Sequence, residues 1–296
     1  MEGKMTRRTK SWEELTFADN FMFCKILESE PELCKKIIEL LLHIKIDHLE
    51  QPQAEKTMQE YFDSKSVRFD VYVKDEKRIF DLEIQTTDTK NLSKRARYYQ
   101  SVIDMDNLSK GDNYSKLKDC YVVFICLDDI FDKELPVYFF ENLCISKDEQ
   151  IKLNDGSYKV FFNAANCDKL ETEEERNFFK FLKGEQAETE LAKSIEAKLE
   201  VAKKNFLWRK QYMTWQQTID DEKYFAREEG REEGRAEGLS QGREEGIAEA
   251  SRENARNFLR KSSLSPEMIA DCCSLPLPEV LAIKEELSHE EVPVKQ

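Results

Sequence analysis

Between Val67 and Gln85 the apolar positions recur every second residue, whereas the neighbouring segments have helical spacing. The stretches "SVRFDVYV" and "RIFDLEIQ" alternate apolar and polar residues on either side of the polar sequence "KDEK". This alternation around a short polar connection predicts an antiparallel hairpin with one apolar face. The simplest register pairs the apolar residues with one another, as Val71–Phe80, Phe69–Leu82 and Val67–Ile84.

The rest of the N-terminal half predicts further helices and strands. Residues 12–44 have apolar residues at helical spacing and are interrupted near Pro31, which predicts two helices, and residues 45–64 have no clear period. Residues 91–107 predict a basic helix, and "CYVVFICLDD" predicts a strand buried on both faces. "PVYFFENL" predicts another strand, and "IKLNDGSYKVFFN" predicts a second hairpin around "NDGS". The order helix, strands, helix, strand predicts an α/β fold.

From about Glu171 the chain is rich in helix formers and charged residues. "EEERNFFKFLKGE" predicts a short helix, and residues 187–226 predict a longer helix with four aromatic anchors, Phe206, Trp208, Tyr212 and Trp215. The tail from residue 251 predicts three short helices, the middle one beginning with Ser265 as N-cap and Pro266 in its first turn. The last of these helices is acidic at "KEEL", which favours protein contact over DNA contact.

Glycine recurs at every fourth position from 230 to 246, in "REEGREEGRAEGLSQGREEG". On an α-helix this period gives a slowly winding glycine stripe. Each glycine costs about 1 kcal/mol relative to alanine, so the helix is marginal alone. Close packing against a partner helix would explain the glycine repeat. The alternative is a charged linker with fraying helicity.

These patterns predict three parts: a core over residues 1–185, a helical arm over 186–251 and a small helical segment over 252–296. The chain is acidic, with a formal net charge of −14. This charge counts against a general nucleic-acid coat protein but not against an enzyme that grips DNA locally.

The eight cysteines include no C-x-x-C pair, and the start of the chain lacks a secretory h-region, so we expect reduced thiols and a cytoplasmic protein. No apolar run approaches the roughly 20 residues of a membrane span. The three histidines form no ligand-spaced set, which argues against a histidine-rich zinc site.

The predicted register places three carboxylates, Asp70, Asp81 and Glu83, on the hairpin face opposite the apolar one. Like charges this close repel each other. A divalent cation would relieve the repulsion, and carboxylate oxygens with retained waters suit Mg²⁺ or Mn²⁺. The alternative is that the acids form the solvated face of an ordinary antiparallel hairpin.

A basic helix follows the acidic strand directly, with Lys94, Arg95 and Arg97 near its start. Cations beside metal-binding carboxylates suit a phosphate substrate. Because residues two apart point in different directions on a helix, we expect Arg95 to reach the site and Arg97 to contact a nucleic-acid backbone or solvent. The alternative is a solvated basic face paired with Asp88 and nearby acids.

An acid on one strand and Glu-x-Lys on the next, before a helix, is the arrangement of PD-(D/E)XK nucleases, and here it reads Asp70 and then Glu83-Ile84-Gln85. The chain more closely resembles the recombination-promoting nuclease and putative transposase family of that superfamily, over nearly its whole length. The matching stretches include "LTFADNFMFCKIL", "VRFDVYVKD", "FDLEIQ", "LSKRARYYQSVIDMDNL", "LPVYFFENLC", "LNDGSYKVFFN" and the glycine repeat.

This resemblance implies a restriction-endonuclease-like fold, a mixed sheet flanked by helices, here with a C-terminal helical extension. It also implies Mg²⁺-dependent cleavage of DNA phosphodiester bonds and a link to recombination or mobile elements.

Carried over by position, the metal ligands are Asp70 and Glu83, with the backbone carbonyl of Ile84 as a third candidate. Asp19, in "ADNFMF", is a candidate acidic contributor from a helix. Asp81 is added to the metal ligands from the predicted register.

Gln85 stands where the wider superfamily has lysine, although Glu-x-Gln matches the closer family. Glutamine can orient a water molecule by hydrogen bonding but brings no positive charge. Arg95 or Lys94 from the next helix, or a second metal ion, could supply the charge, or the site is slow. We predict Gln85 and Arg95 as catalytic residues, and Lys94 and Arg97 as DNA-binding residues.

The sequence therefore predicts a cytoplasmic, Mg²⁺- or Mn²⁺-dependent DNA endonuclease that self-associates through its C-terminal arm. The alternative is a catalytically weak or inactive nuclease-fold module that binds DNA or protein. A third interpretation makes the hairpin ordinary surface and the glycine-repeat helix an assembly scaffold.

Overall fold

The computed structural model describes residues 10–58, 65–86, 90–146 and 149–290. Asp88, considered above as a partner of the basic helix, lies outside these ranges. The chain divides into two compact units, Met1–Gln216 and Gln217–Gln296. The first unit extends beyond residue 185, where the sequence predicts the core to end, and includes one further helix and the start of another.

The first unit is an α/β structure with helices on both faces of a mixed sheet. Its helices are α1 (Asn20–Ser29), α2 (Pro31–Leu42), α3 (Leu92–Asn107), α4 (Glu173–Leu182), α5 (Glu190–Lys203) and the start of α6 (Phe206–Lys261). Its strands are β1 (Gln53–Met58), β2 (Val67–Lys74), β3 (Arg78–Gln85), β4 (Asp119–Cys126), β5 (Val137–Phe140), β6 (Leu143–Ile145), β7 (Gln150–Lys152) and β8 (Ser157–Asn163).

The main sheet has six strands in the order β1-β2-β3-β4-β8-β5. Strands β1, β2 and β3 are antiparallel, β3, β4 and β8 are parallel, and β5 closes the sheet antiparallel to β8. The predicted class, a mixed sheet flanked by helices with a C-terminal helical extension, is confirmed.

Each face of the sheet is covered by its own helices. Apolar residues of α1, α2, α4 and α5 pack on one face, together with Val123 and Ile125 of β4. The opposite face is covered by α3, whose Ala96 and Ile103 are fully buried beside Phe124. Strand β4 is therefore buried on both sides, as its continuous apolar run predicts.

The two predicted N-terminal helices are confirmed, with Pro31 at the first position of α2. Proline is tolerated there because a first-turn N–H has no partner within the helix. Strand β1 falls within residues 45–64, where the apolar positions have no clear period. Its residues, "QAEKTM", are mostly polar, and it is an edge strand paired only with β2.

The predicted second hairpin around "NDGS" is wrong. Strand β7 pairs with β6 in a separate two-stranded sheet, and β8 pairs with β4 and β5 in the main sheet. Burial explains why β8 pairs within the main sheet and not with β7. Both faces of β8 are buried, through Val160, Phe161 and Phe162, whereas all three residues of β7 are exposed. Gly156 turns the chain with a φ of +69° and its carbonyl accepts the N–H of Cys120, which directs β8 alongside β4.

The single helix predicted over residues 187–226 is wrong, because α5 and α6 are separate. Asn205 interrupts the helix, and its side chain accepts hydrogen bonds from the N–H groups of Leu207 and Trp208 at 3.0 and 3.1 Å, as an N-cap does. Of the predicted aromatic anchors, Tyr212 is buried against Trp12 and Phe21. Trp208 and Trp215 are partly buried against the same core, whereas Phe206 is 74% exposed.

The second unit contains the rest of α6, which continues as a helix through the glycine repeat, followed by α7 (Pro266–Cys273) and α8 (Leu277–Glu290). Ser265 accepts the N–H of Met268 at 3.4 Å, so the predicted N-cap and first-turn proline are confirmed. The first of the three predicted tail helices is the end of α6. A small apolar cluster joins the three segments through Ala255, Ile269 and Val280. Among the described residues, no helix combines the length and the apolar character that crossing a membrane requires.

Candidate active site

The β2–β3 hairpin forms as predicted, but its register differs from the prediction by two residues. Val71 pairs with Leu82 and Val73 with Phe80, instead of Val71 with Phe80. The reason is a tighter turn than expected, in which the Asp75 N–H donates to the carbonyl of Arg78 at 2.9 Å.

The side chain of Asp75 stabilises this turn. Its carboxylate accepts the backbone N–H groups of Lys77 and Arg78 at 2.8 and 2.6 Å, and it also pairs with the Arg78 guanidinium. Only Glu76 and Lys77 remain as loop residues, which is the length of the commonest hairpin turns.

Strand β2 changes phase at Asp70. Val67 and Phe69 pack in the cluster beneath α3, whereas Val71 and Val73 pack on the opposite face of the sheet. The predicted single apolar face is therefore wrong for the first half of β2. In β1, Glu55 occupies the matching position with a φ of +52°, so the irregularity involves both strands.

At this phase change, side chains replace the backbone ladder between β2 and β3. The Asp70 N–H donates to Glu83 Oε1 at 2.9 Å, and the Ile84 N–H donates to Asp70 Oδ2 at 3.0 Å. The two carboxylates are thereby fixed beside each other at the point where the strands separate. The predicted position of Asp70 across from Asp81 is wrong, because Asp81 pairs with Tyr72.

All three predicted carboxylates are buried: Asp70 is 7% exposed, Asp81 0% and Glu83 1%. Burial raises the pKa of Asp70, although the hydrogen bond from the Ile84 N–H lowers it. Burial also raises the pKa of Asp81 and of Glu83 well above their usual ranges, and the negative charges of their acidic neighbours raise both further. A cluster of this kind is costly without positive charge.

Arg95 brings positive charge to the cluster from the first turn of α3. One of its Nη atoms donates to Glu83 Oε2 in an ion pair, and its other Nη atom lies 3.4 Å from Gln85 Oε1. Its Nε donates to the hydroxyl of Tyr99 at 2.7 Å. The expectation that Arg95 reaches the acidic strand is therefore met, and Gln85, at the end of the strand, contacts it. Lys94 and Arg97 are exposed on the same helix.

Helix α1 contacts the cluster from the other face of the sheet. The side chain of Asn20 hydrogen-bonds to the Asp70 carboxylate, and Cys24 Sγ donates to the Asp70 carbonyl at 3.2 Å. Asp19 precedes α1, and its carboxylate accepts the Thr16 N–H and hydroxyl at 2.7 and 2.9 Å and pairs with Lys10 at 2.7 Å. The structure thus engages Asp19 in the turn before α1 and brings its neighbour Asn20 to Asp70.

The chemistry of the donor set fits a hard divalent cation. Asp70 and Glu83 offer carboxylate oxygens, and both oxygens of Asp81 are buried without a hydrogen-bond partner among the described residues. Among the described residues, no group of three or more His, Cys, Asp or Glu side chains is arranged so that it could hold a metal ion. The arrangement therefore fits a centre with two carboxylates, Asp70 and Glu83, whose other ligands would be a backbone carbonyl and water.

Sequence reasoning missed Asn20 and Tyr99. Tyr99 lies four residues after Arg95, and side chains at this spacing on a helix are neighbours. The "RARYY" stretch therefore contained a signal for the Arg95–Tyr99 contact. Asn20 had no such signal, because it reaches Asp70 only through the packing of α1 against β2.

A mixed sheet with helices on both faces, and an Asp–Glu pair on adjacent strands that separate at the pair, define a restriction-endonuclease-like nuclease fold. The sequence profile of one family, described as PD-(D/E)XK nuclease family transposase, matches residues 20–235. The chain belongs to this family. Comparison with curated proteins and with solved structures gave no match.

Proposed function

We propose that this protein is a metal-dependent DNA endonuclease that hydrolyses phosphodiester bonds and acts in recombination or in the movement of mobile elements. The observation that carries the proposal is the reciprocal pair of hydrogen bonds joining Asp70 to Glu83 and Ile84, with Arg95 paired to Glu83. The family description supports the link to transposition.

In this proposal, Asp70 and Glu83 hold Mg²⁺, which Mn²⁺ can replace, and Asp81, two residues before Glu83 on β3, is a further acidic group beside them. The bound ion would lower the pKa of a water molecule and neutralise charge on the scissile phosphate. Arg95 supplies the positive charge that Gln85 lacks, and its guanidinium fork suits a phosphate. The amide of Gln85 orients the attacking water by hydrogen bonding.

DNA would be held by exposed cations of α3, Lys94 and Arg97, which lie within two residues of Arg95 along the helix. Contacts of this kind position a phosphate backbone without reading its sequence. They also give a chain with a net charge of −14 one local surface that attracts DNA.

A nuclease-fold module that binds without turnover is the second candidate. Gln85 in place of lysine favours it, because a site without the lysine charge depends on Arg95 for transition-state stabilisation. An assay of plasmid nicking separates the two candidates.

Nicking of supercoiled plasmid with Mg²⁺ or Mn²⁺ tests the proposal. Wild type should nick the plasmid, and Asp70→Ala and Glu83→Ala should each lower the rate by about 100-fold or more, since each removes a metal ligand. Asp106→Ala is the matched control, because Asp106 is an exposed acid on α3 whose carboxylate pairs with Lys56 at 3.4 Å. Plasmid that is bound but intact with wild type would favour the binding module, and equal cleavage by both variants would show that the site is elsewhere.

We also propose that the protein acts in the cytoplasm. All eight cysteines lie within the described residues and are free thiols, and six of them are buried. Cysteines used in this way are typical of a reducing compartment.

Self-association through the arm is part of the same proposal. Nothing in the described structure lies within 4 Å of where a Cβ would stand on any of the five glycines from Gly230 to Gly246, so the chain itself gives no packing reason for them. Residues that follow the glycines are mostly arginine, and residues that precede them are mostly glutamate. In a parallel pair of such helices related by a twofold axis, the arginine flank of one faces the glutamate flank of the other.

A further inference from the structure

Both oxygens of Glu83 are engaged by groups of the chain itself. Oε1 accepts the N–H of Asp70, and Oε2 accepts the guanidinium of Arg95. A divalent cation that binds Glu83 must therefore share Oε2 with Arg95 or replace it there.

Arg95 is held at this oxygen by Tyr99 in two ways. The Tyr99 hydroxyl accepts the Arg95 Nε–H at 2.7 Å, and the Arg95 Cζ lies 4.8 Å from the centre of the Tyr99 ring. The ring of Phe124 lies 5.4 Å from the same Cζ. The guanidinium is thus fixed by a hydrogen bond and by two aromatic faces.

Tyr99 is itself fixed. It is 8% exposed, its ring packs edge-on against Phe69 with centroids 5.2 Å apart, and its hydroxyl lies 3.5 Å from the carbonyl oxygen of Arg68, to which it donates. The hydroxyl donates towards β2 and accepts from Arg95, so it defines where the guanidinium sits relative to the acidic strand. Tyr99 therefore links the separated end of β2 to the cation of α3.

We propose that Tyr99 is a positioning residue that holds Arg95 on Glu83, and that this contact competes with the divalent cation for Glu83 Oε2. The inference rests on the proposed function, because it concerns the same metal-binding pair. It assigns to Tyr99 control of cation affinity through Arg95, without contact between Tyr99 and the cation.

The test is a calorimetric titration of Mn²⁺ into wild type, Tyr99→Phe, Arg95→Gln and the double variant, at about pH 8 so that protons compete little for the carboxylates. Arg95→Gln should tighten Mn²⁺ binding about 10-fold, since it removes a charge in direct contact with a ligand. Tyr99→Phe keeps the ring and the net charge, and it should tighten binding about 3-fold by releasing one hydrogen bond to Arg95. In the Arg95→Gln background, Tyr99→Phe should have no further effect.

Two neighbours on α3 provide matched controls. Tyr98→Phe removes a hydroxyl that donates to the carbonyl of Lys65 at 2.7 Å, outside the acidic cluster, and should leave Mn²⁺ affinity unchanged. Arg97→Gln removes the same charge as Arg95→Gln from an exposed position, and its effect should be smaller and should disappear at high salt.

An equal effect of Tyr99→Phe in both backgrounds, or no effect in either, would overturn the inference. A gain with Arg97→Gln as large as with Arg95→Gln would also overturn it, because long-range charge would then explain the result. Thermal unfolding without metal identifies any variant that fails to fold. If Arg95→Gln is one of them, Arg95→Met replaces it, since it also removes the charge and the contact with Tyr99 while keeping an apolar stem. Failure of the proposed function is distinguishable, because wild type would then leave supercoiled plasmid intact whatever its affinity for Mn²⁺, whereas a wild type that binds no Mn²⁺ would overturn both.

Discussion

Asp81 is the residue of the hairpin whose environment is least favourable in the absence of a cation. It is fully buried, both of its oxygens lack a hydrogen-bond partner among the described residues, and burial and the negative charge of Asp70 raise its pKa. The pKa of Glu83 is raised as well, so ionising the two neighbouring carboxyls together is unfavourable without a cation. An arrangement of this kind lowers stability and is retained where it serves a site.

Asp81→Asn should stabilise the metal-free protein. The amide removes one of three like charges and can donate to the carboxylate of Glu83, so we expect the free energy of unfolding to rise by about 1–3 kcal/mol. Urea unfolding in EDTA measures the change. If Asp81 is a ligand, as the sequence analysis predicts, the same variant should weaken Mn²⁺ binding about 10-fold or more.

The control for this variant is Asp106→Asn, which removes an exposed charge from α3 and should change stability by no more than about 0.5 kcal/mol. A less stable Asp81→Asn protein would contradict the prediction. It would mean that the charge of Asp81 is compensated by a group outside the hairpin.

Replacing Gln85 with the lysine of the wider superfamily should not raise nuclease activity. Gln85 Oε1 lies 3.4 Å from an Nη atom of Arg95, so an ammonium group at this place would repel the guanidinium. We expect Gln85→Lys to lower plasmid nicking about 10-fold, and Gln85→Lys with Arg95→Gln to recover most of the loss. The check compares the nicking rates of wild type, the two single variants and the double variant at saturating Mn²⁺.

Lys94 offers the control for the exchange of charge and amide. Lys94→Gln combined with Gln85→Lys should recover less activity than the combination with Arg95→Gln, since Lys94 is exposed on α3 whereas Arg95 lies 3.4 Å from Gln85 Oε1. Higher activity of Gln85→Lys alone would show that Arg95 does not serve in place of the lysine.

Asp70, Glu83 and Arg95 could be predicted as neighbours from the sequence because each of them follows from local order along the chain. The acids alternate on strands, and Arg95 comes one helical turn into the next element. Tyr99 could also have been found from helical spacing. Asn20 could not, because its contact with Asp70 joins residues 50 positions apart through the packing of α1.

At the scale of elements, the sequence predicts whether a segment is a helix or a strand better than it predicts how the strands pair. The β2–β3 hairpin, α3 and β4 were all predicted, because hydrophobic period identifies such elements. The phase change at Asp70 was not, since the alternating pattern "VRFDVYV" is the same with and without it. It depends on the side chains of Asp70 and Glu83 replacing backbone partners, which only the folded hairpin brings together.

The wrong pairing of β7 has a similar physical origin. A turn sequence such as "NDGS" favours a hairpin locally, but burial decides which strands pair. The apolar run "VFF" in β8 gains more from a place between β4 and β5 than from pairing with the exposed β7. Local turn chemistry was outweighed here by tertiary burial.

At the scale of the whole molecule, net charge and local charge have opposite implications for DNA. The chain carries a formal charge of −14, and the glycine-repeat part of α6 contributes many of its exposed acids. An acidic molecule of this kind associates with DNA only through a local basic surface, which α3 offers at Lys94 and Arg97. We therefore propose that DNA binds to the first unit and that the second unit mediates self-association.

The glycine repeat allows self-association to be tested with substitutions that change helix stability and helix pairing in opposite directions. Gly234→Ala with Gly238→Ala should stabilise the helix by about 1 kcal/mol per site, since no other part of the described structure stands within 4 Å of either Cβ position. The same methyl groups would separate two helices that pack closely along the glycine stripe. We expect helicity by circular dichroism to rise while the dimer, measured by analytical ultracentrifugation, weakens about 10-fold.

Arginine positions provide the complementary test of orientation. Arg231→Glu with Arg235→Glu should weaken self-association, and mixing that chain with one carrying Glu229→Arg and Glu233→Arg should restore it, because a parallel pair places the arginine flank of one helix against the glutamate flank of the other. Orientation is read from the Arg231→Glu, Arg235→Glu chain alone, because in an antiparallel pair twofold symmetry sets each flank against its own copy and the reversal would only exchange one like-charge contact for another. A monomeric wild type, or stronger association of the alanine variant, would instead identify the repeat as a solvated charged helix whose glycines have no role in packing.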